Sequence, residues 1–158
     1  MDIVIRSAST ADAAPACALV RRSIIELCGA DHQGDKATIS EWLADKKYDT
    51  FASWIGSDRH IAIVAEIQAA IAGFAVLNRS GTIALLYVAP EFRFRGASKA
   101  MLTALERDAL ALGIAELVLE SSITALAFYE RRGYSRVGAP TAGFGITHVH
   151  LLRKRMAP

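Results

Sequence analysis

Leu85-Leu86-Tyr87-Val88-Ala89-Pro90-Glu91-Phe92-Arg93-Phe94-Arg95-Gly96-Ala97-Ser98-Lys99-Ala100-Met101-Leu102 is the most informative stretch of this 158-residue chain. It reads as an apolar strand, a proline stop, a short basic loop with one glycine, and the start of a helix. A loop that opens a helix turns unpaired backbone N–H groups outward at the positive end of the helix dipole. Such an end binds phosphate without needing a side chain. Gly96 has no β-carbon, so close approach of a phosphate to the backbone is expected there. Arg93 and Arg95 add positive charge beside it. The bland alternative is an ordinary strand-to-helix turn with surface arginines.

Working outward, residues 82–88 follow two further strand patterns at 61–67 and 71–78. Short turns separate them, which predicts an antiparallel meander. Upstream, residues 2–7 alternate as a first strand. Asp12 is placed to cap a helix with Pro15 in its first turn, and Val20, Ile24, Leu27 and Cys28 recur at helical spacing up to Gly29. A polar loop over 30–35 precedes Thr38-x-x-Glu41, a capping-box pattern that predicts a second short helix carrying Ile39, Trp42 and Leu43. Downstream, a helix over 97–112 carries Ala100, Met101, Ala104, Leu105 and Leu112 and ends at Gly113. A strand over 115–119, a helix over 123–132 ended by Gly133, and strands over 134–138 and 146–153 complete the chain. The order is β-α-α-β-β-β-α-β-α-β-β. The helix between 82–88 and 115–119 favours parallel pairing of those strands. The fold class is therefore α/β, a mixed sheet with helices on both faces, in one domain over 1–158.

Bulk properties narrow the function. Eighteen basic residues stand against sixteen acidic ones, a net charge of +2 that argues for neither nucleic acid nor a membrane surface as partner. No apolar run reaches membrane-span length, and the first residues lack the pattern of a signal peptide. Cys17 and Cys28 fall on one predicted helix, about 16 Å apart at helical rise, too far to bridge each other. A reducing, cytoplasmic setting is the expectation.

Two motifs carry a family resemblance. Arg93-x-x-Gly96-x-Ser98 resembles the acyl-CoA pyrophosphate loop of the GNAT superfamily of N-acetyltransferases, Gln/Arg-x-x-Gly-x-Gly/Ala, with Ser98 at a position usually Gly or Ala. Tyr87-Val88-x-Pro90 before it and Lys99-Ala100-x-Leu102 after it strengthen the match. Thr124-Ala125-Leu126-Ala127-Phe128-Tyr129-Glu130-Arg131-Arg132-Gly133-Tyr134 is similar to that family's Asn-x-x-Ala-x-x-Phe-Tyr-x-x-x-Gly-Phe helix. Ser122 falls where the asparagine normally sits. The resemblance is specific over residues 82–134 and architectural before residue 60.

The resemblance implies the GNAT fold and acetyl transfer from acetyl-CoA to a primary amine of a small molecule or peptide, by direct attack and without a metal. It places Leu86, Tyr87, Val88, Arg93, Phe94, Arg95, Gly96, Ala97, Ser98, Lys99 and Ser122 on the co-substrate. Leu86 and Val88 would pair the pantetheine like an added strand, and the Val88 N–H would face the oxyanion. Tyr129 is the implied general acid, since a phenol within reach protonates the departing thiolate. Glu120, at the end of its strand, is the candidate base, with Glu66 and the Asp31-His32 pair as rivals. A histidine has an unperturbed pKa suited to proton transfer, and Asp31 and His32 are candidates for contact with the acceptor amine. His148 and His150 share one side of a terminal strand, but no third metal ligand stands near them in sequence, so a structural role is expected. Homodimers are common in the family, so a homodimer is among the expected assemblies. The alternative function is a CoA-binding module on the same fold without turnover.

Overall fold

The computed structural model describes residues 2–157. Met1 and Pro158, the ends of the expected domain, lie outside the described residues. The strands are β1 Ile3–Ser7, β2 His60–Ile67, β3 Ala70–Asn78, β4 Thr82–Val88, β5 Glu116–Ser121, β6 Ser135–Arg136, β7 Thr141–Ala142 and β8 His148–Arg155. They form a mixed sheet in the order β1-β2-β3-β4-β5-β8-β6, with β7 paired to β8. The expected meander is present as β2, β3 and β4, and β1 adds antiparallel to β2. The expected parallel pair is β4 with β5.

Helices cover both faces. On one face lie α5 Ala97–Ala111 and α6 Ile123–Glu130. Ala97, Met101, Leu105 and Ala109 of α5, four residues apart, are buried on Leu117, Leu119 and Leu152 of the sheet. Leu112, expected on that stripe, is exposed because it caps the helix. On the other face α1 Ala13–Leu27 presents Val20 and Ile24 to Phe51, Phe74 and Leu85. A register shift opposite Ala84 inverts the alternation of β4. Ile83, Leu86 and Val88 therefore belong with the α5 face, while Leu85 and Tyr87 belong with the α1 face.

The segment between β1 and β2 departs from expectation. It holds four helices, not two: α1, α2 Gly29–His32, α3 Lys36–Leu43 and α4 Tyr48–Ile55. The expected polar loop over 30–35 is partly the helical turn α2. Cys28 is the junction of α1 and α2, so the two cysteines do not share one helix; both are free and buried. Thr38 does not cap α3. Asp35 does, accepting from the Thr38 N–H at 3.0 Å, because the helix begins three residues earlier than the Thr38-x-x-Glu41 pattern implies. Thr38 and Glu41 instead accept from the backbone N–H groups of Ile146 and Gly145, tying α3 to the β7–β8 hairpin. No helix among the described residues is long and apolar enough to cross a membrane.

Asp12 also departs from its expected cap role. Its carboxylate makes no bond to the first turn of α1. It accepts from the Ser9 N–H at 2.7 Å and takes both ends of the Arg6 guanidinium, at 2.7 and 2.9 Å. Arg6 also reaches Glu66 across the β1–β2 pair at 3.3 Å, which engages the rival base Glu66 in structure. The Arg6 guanidinium holds the Asp12 carboxyl down to about 2, from an ordinary 3.8. A depressed acid contributes stability above its unfolded value and loses it as pH falls through its folded value. Asp12→Asn is therefore expected to cost about 2 kcal/mol at pH 7. In urea titrations the gap to wild type should close between pH 4 and about pH 2; a gap that persists at pH 2 rejects the ion pair as its source.

Candidate active site

The site begins where two strands part. β4 and β5 share one bridge, Thr82 with Val118, and then diverge. Beyond it a cavity of about 550 Å³ passes between them. The Ala89 N–H bonds Ala72 of β3 at 2.7 Å. Alternation then turns the N–H and C=O of Val88 and Leu86 away from β3, into the gap. An exposed strand edge facing a cavity is a template for an extended ligand.

At one end of the gap is the basic loop. Arg93, Phe94, Gly96, Ala97, Ser98 and Lys99 line the cavity, and Arg95 does not: its guanidinium lies over the Phe92 ring at 5.7 Å. Gly96 is the residue before α5, with φ at 89°. A β-carbon there meets only the Ile3 side chain, at 3.6 Å. The positive φ therefore calls for glycine at this turn, and no protein atom crowds its open face. Phe94, two residues earlier, also has positive φ, at 64°. A non-glycine residue pays about 1–2 kcal/mol for that conformation.

On the α5 face, α6 carries the Tyr129 side chain into the cavity. Its first turn is unusually well satisfied. The Ser122 hydroxyl accepts from the Ala125 N–H at 3.2 Å. Asp31 reaches across from α2 and accepts from the N–H groups of Ile123 at 2.7 Å and Thr124 at 3.2 Å, and from the Thr124 hydroxyl. Three orphan donors and the helix dipole are thereby met. Asp31 is thus buried in support of α6, and its carboxylate is not offered to an acceptor. Gly133, at φ 92°, ends the segment, where the Tyr134 N–H returns to the Tyr129 carbonyl at 3.2 Å.

His32 is likewise not in the cavity. Gly34 donates its N–H to Nδ1 at 3.0 Å, so Nε2 carries the proton and donates to the Ile24 carbonyl at 2.9 Å. Nε2 thus joins α2 to α1, and Nδ1 closes the turn after α2. His150 is buried and His148 exposed on β8.

The opposite end of the cavity faces α1. Ser23, Leu27 and Cys28 line it with Tyr87, and Glu120 of β5 is exposed there. The (i, i+4) spacing of Ser23 and Leu27 was the available signal for these residues, hidden inside an ordinary core stripe. Arg131 and Arg132 also line the cavity. Arg132 lies over the Phe128 ring at 4.2 Å, and its Nε finds no acceptor among the described residues. Burial pushes the Tyr129 phenol well above its ordinary range, and Tyr87 likewise, with Cys28 and Tyr129 adding to the burial effect at Tyr87. Burial, then the Asp31 charge, pushes the Cys28 thiol up to about 12. Both phenols and the thiol are therefore protonated at neutral pH.

Comparison with known proteins gives a consistent picture. A family model for the acetyltransferase (GNAT) domain matches residues 30–154. The fold is similar to that of a GCN5-related N-acetyltransferase structure from Rhodopseudomonas palustris, at 25% identity and TM-score 0.87 over 98% of this chain and 96% of that one. It is also similar to the PaiA N-acetyltransferase of Thermoplasma acidophilum, solved in complex with coenzyme A (20% identity, TM-score 0.81, 98% and 99% covered). The ribosomal-protein-S18-alanine N-acetyltransferase of Escherichia coli aligns at 20% identity and TM-score 0.74, covering 99% and 96%. A search of curated proteins finds no match by sequence.

Removing the Asp31 cap tests how α6 is held. Asp31→Ala strips three hydrogen bonds and is expected to lower stability by about 2–3 kcal/mol. Asp31→Asn keeps an acceptor oxygen and should lose less. Chemical denaturation midpoints check both; equal losses for the two variants would mean that side-chain volume, not hydrogen bonding, matters at this position.

Proposed function

The chain belongs to the GNAT acetyltransferase family and is an acyltransferase, and from that premise we propose that it transfers the acetyl group of acetyl-CoA to a primary amine of a small molecule or peptide. The observation that carries this reading is the open gap beside β4, with the Gly96 turn at one end and Tyr129 in its wall. The N–H groups at the start of α5 suit a pyrophosphate, with Arg93 and Lys99 adding charge. The free edge of Leu86 and Val88 suits the amides of a pantetheine arm. Ser122 lines the cavity with its hydroxyl already accepting from Ala125. It keeps one O–H donor and one acceptor lone pair for that arm.

Direct transfer fits the side chains in the cavity. A thiol with a pKa near 12 is a poor nucleophile, so Cys28 offers no covalent route. The amine nitrogen attacks the thioester carbonyl carbon. The Val88 N–H donates to the oxygen as it gains charge. The C–S bond then breaks, its electron pair goes to sulfur, and the Tyr129 hydroxyl supplies the proton. A phenol is protonated at neutral pH and so holds a proton for the departing thiolate. Glu120, on the α1 side where the acceptor enters, takes the proton lost by the amine.

Tyr129→Phe keeps the ring and removes the proton donor. Single-turnover acetyl transfer should fall by roughly 10²–10⁴, with acetyl-CoA affinity little changed. An unchanged single-turnover rate rejects Tyr129 as the acid. Gly96→Val forces a β-branched residue into φ 89° and should abolish protection of the protein by acetyl-CoA against thermal unfolding. Normal protection in a folded Gly96→Val variant would place the co-substrate elsewhere. Protection by acetyl-CoA without thiol release across a panel of amines would favour a binding module over an enzyme.

A further inference from the structure

Phe94 is the most exposed large hydrophobic residue described, at 91%, and the only aromatic one with positive φ. Neither packing nor backbone preference accounts for it. A bulky residue held in the left-handed region persists where function uses it. A glycine would fit this turn better. The ring stands at the mouth of the cavity, in the loop that precedes α5, and the Arg93 guanidinium lies over it at 4.7 Å.

We propose that Phe94 is the stacking platform for the adenine ring of the acyl-CoA. The proposal rests on the acetyl-CoA reading above. If the N–H groups after Gly96 hold the pyrophosphate, the pantetheine runs inward along Leu86 and Val88. The nucleoside leaves from the other phosphate, outward over the loop. Phe94 is the aromatic surface standing there. A purine is a flat π-face that stacks on an aromatic side chain without needing hydrogen bonds. Arg93, on the ring of Phe94, adds a cation–π partner to the stack and charge near the phosphates. Left-handed φ directs the side chain away from the protein, which explains why a strained phenylalanine occupies a glycine-like position.

The test compares two thioesters. S-acetyl-4′-phosphopantetheine ends before the adenosine; acetyl-CoA carries it. Phe94→Gly suits φ 64°, so its thermal midpoint should match or exceed wild type. Its dissociation constant for acetyl-CoA should rise roughly tenfold, within the range of base–aromatic stacking. Its affinity for S-acetyl-4′-phosphopantetheine should not change. Phe94→Trp should retain acetyl-CoA binding, and Phe94→Leu should lose it like the glycine variant. Equal weakening toward both thioesters would place Phe94 on the phosphopantetheine and overturn the proposal. So would unchanged binding of both. Wild-type protein that binds neither thioester would instead defeat the acetyl-CoA reading itself.

Discussion

The parting of β4 from β5 is the constraint on which the site depends. Parallel neighbours joined by a helix pair once, at Thr82 and Val118, and then separate. A sheet interior does not normally leave main-chain N–H and C=O groups unpaired, because each costs free energy when buried. Here the cavity keeps the edge of Leu86 and Val88 open to solvent or ligand. The register shift opposite Ala84 sets which residues serve it. It sends Leu86 and Val88 toward α5 and α6 and Tyr87 toward α1. A slip of one residue would exchange these faces. The bulge is therefore part of the site although it touches nothing in it.

Holding the gap open needs support from both sides, and the two ends are charged differently. Arg93, Lys99, Arg131 and Arg132 line the cavity with Glu120 as its acidic member. Arg93 lies on the loop before α5, Lys99 in the first turn of α5, and Arg131 and Arg132 after α6, while Glu120 lies on the α1 side. Such an arrangement suits an anionic ligand of the proposed kind, which it would orient before any specific contact forms. Tyr129 in the wall is buried, and Glu120 stands in the exposed part. Opposed environments of this kind are what the proposed division between an acid and a base at one pH requires.

Much of this was legible in the sequence because it rests on local rules. The strand, loop and helix over 82–111 follow from an apolar run, Pro90 and Gly96. The α6 segment follows from Ser122 and Gly133. What was not legible lies between β1 and β2. Helices of four to eight residues are too short to be specified by their own propensity. They form because tertiary partners complete them: Asp35 caps α3 locally, but Gly145 and Ile146 bind its Glu41 and Thr38 from more than a hundred residues away. His32 illustrates the same limit. In sequence it is a histidine in a polar segment; in the fold both nitrogens are satisfied by the backbone of Ile24 and Gly34.

Asp31 carries this furthest. The residue reads as a surface carboxylate suited to a cationic substrate. Its partners, Ile123 and Thr124, are ninety-two and ninety-three residues away, a separation no local pattern encodes. Its position couples two parts of the molecule with different tasks. α2 belongs to the helical segment between β1 and β2, and α6 carries Tyr129. Each carboxylate oxygen of Asp31 takes a backbone N–H of α6, so a shift of α2 must either break those bonds or move the start of α6 with it. Hydrogen bonds between a charge and unpaired helix donors are short, directional and costly to lose. The helical segment between β1 and β2 is thus mechanically joined to the placement of Tyr129, through a residue outside the cavity lining.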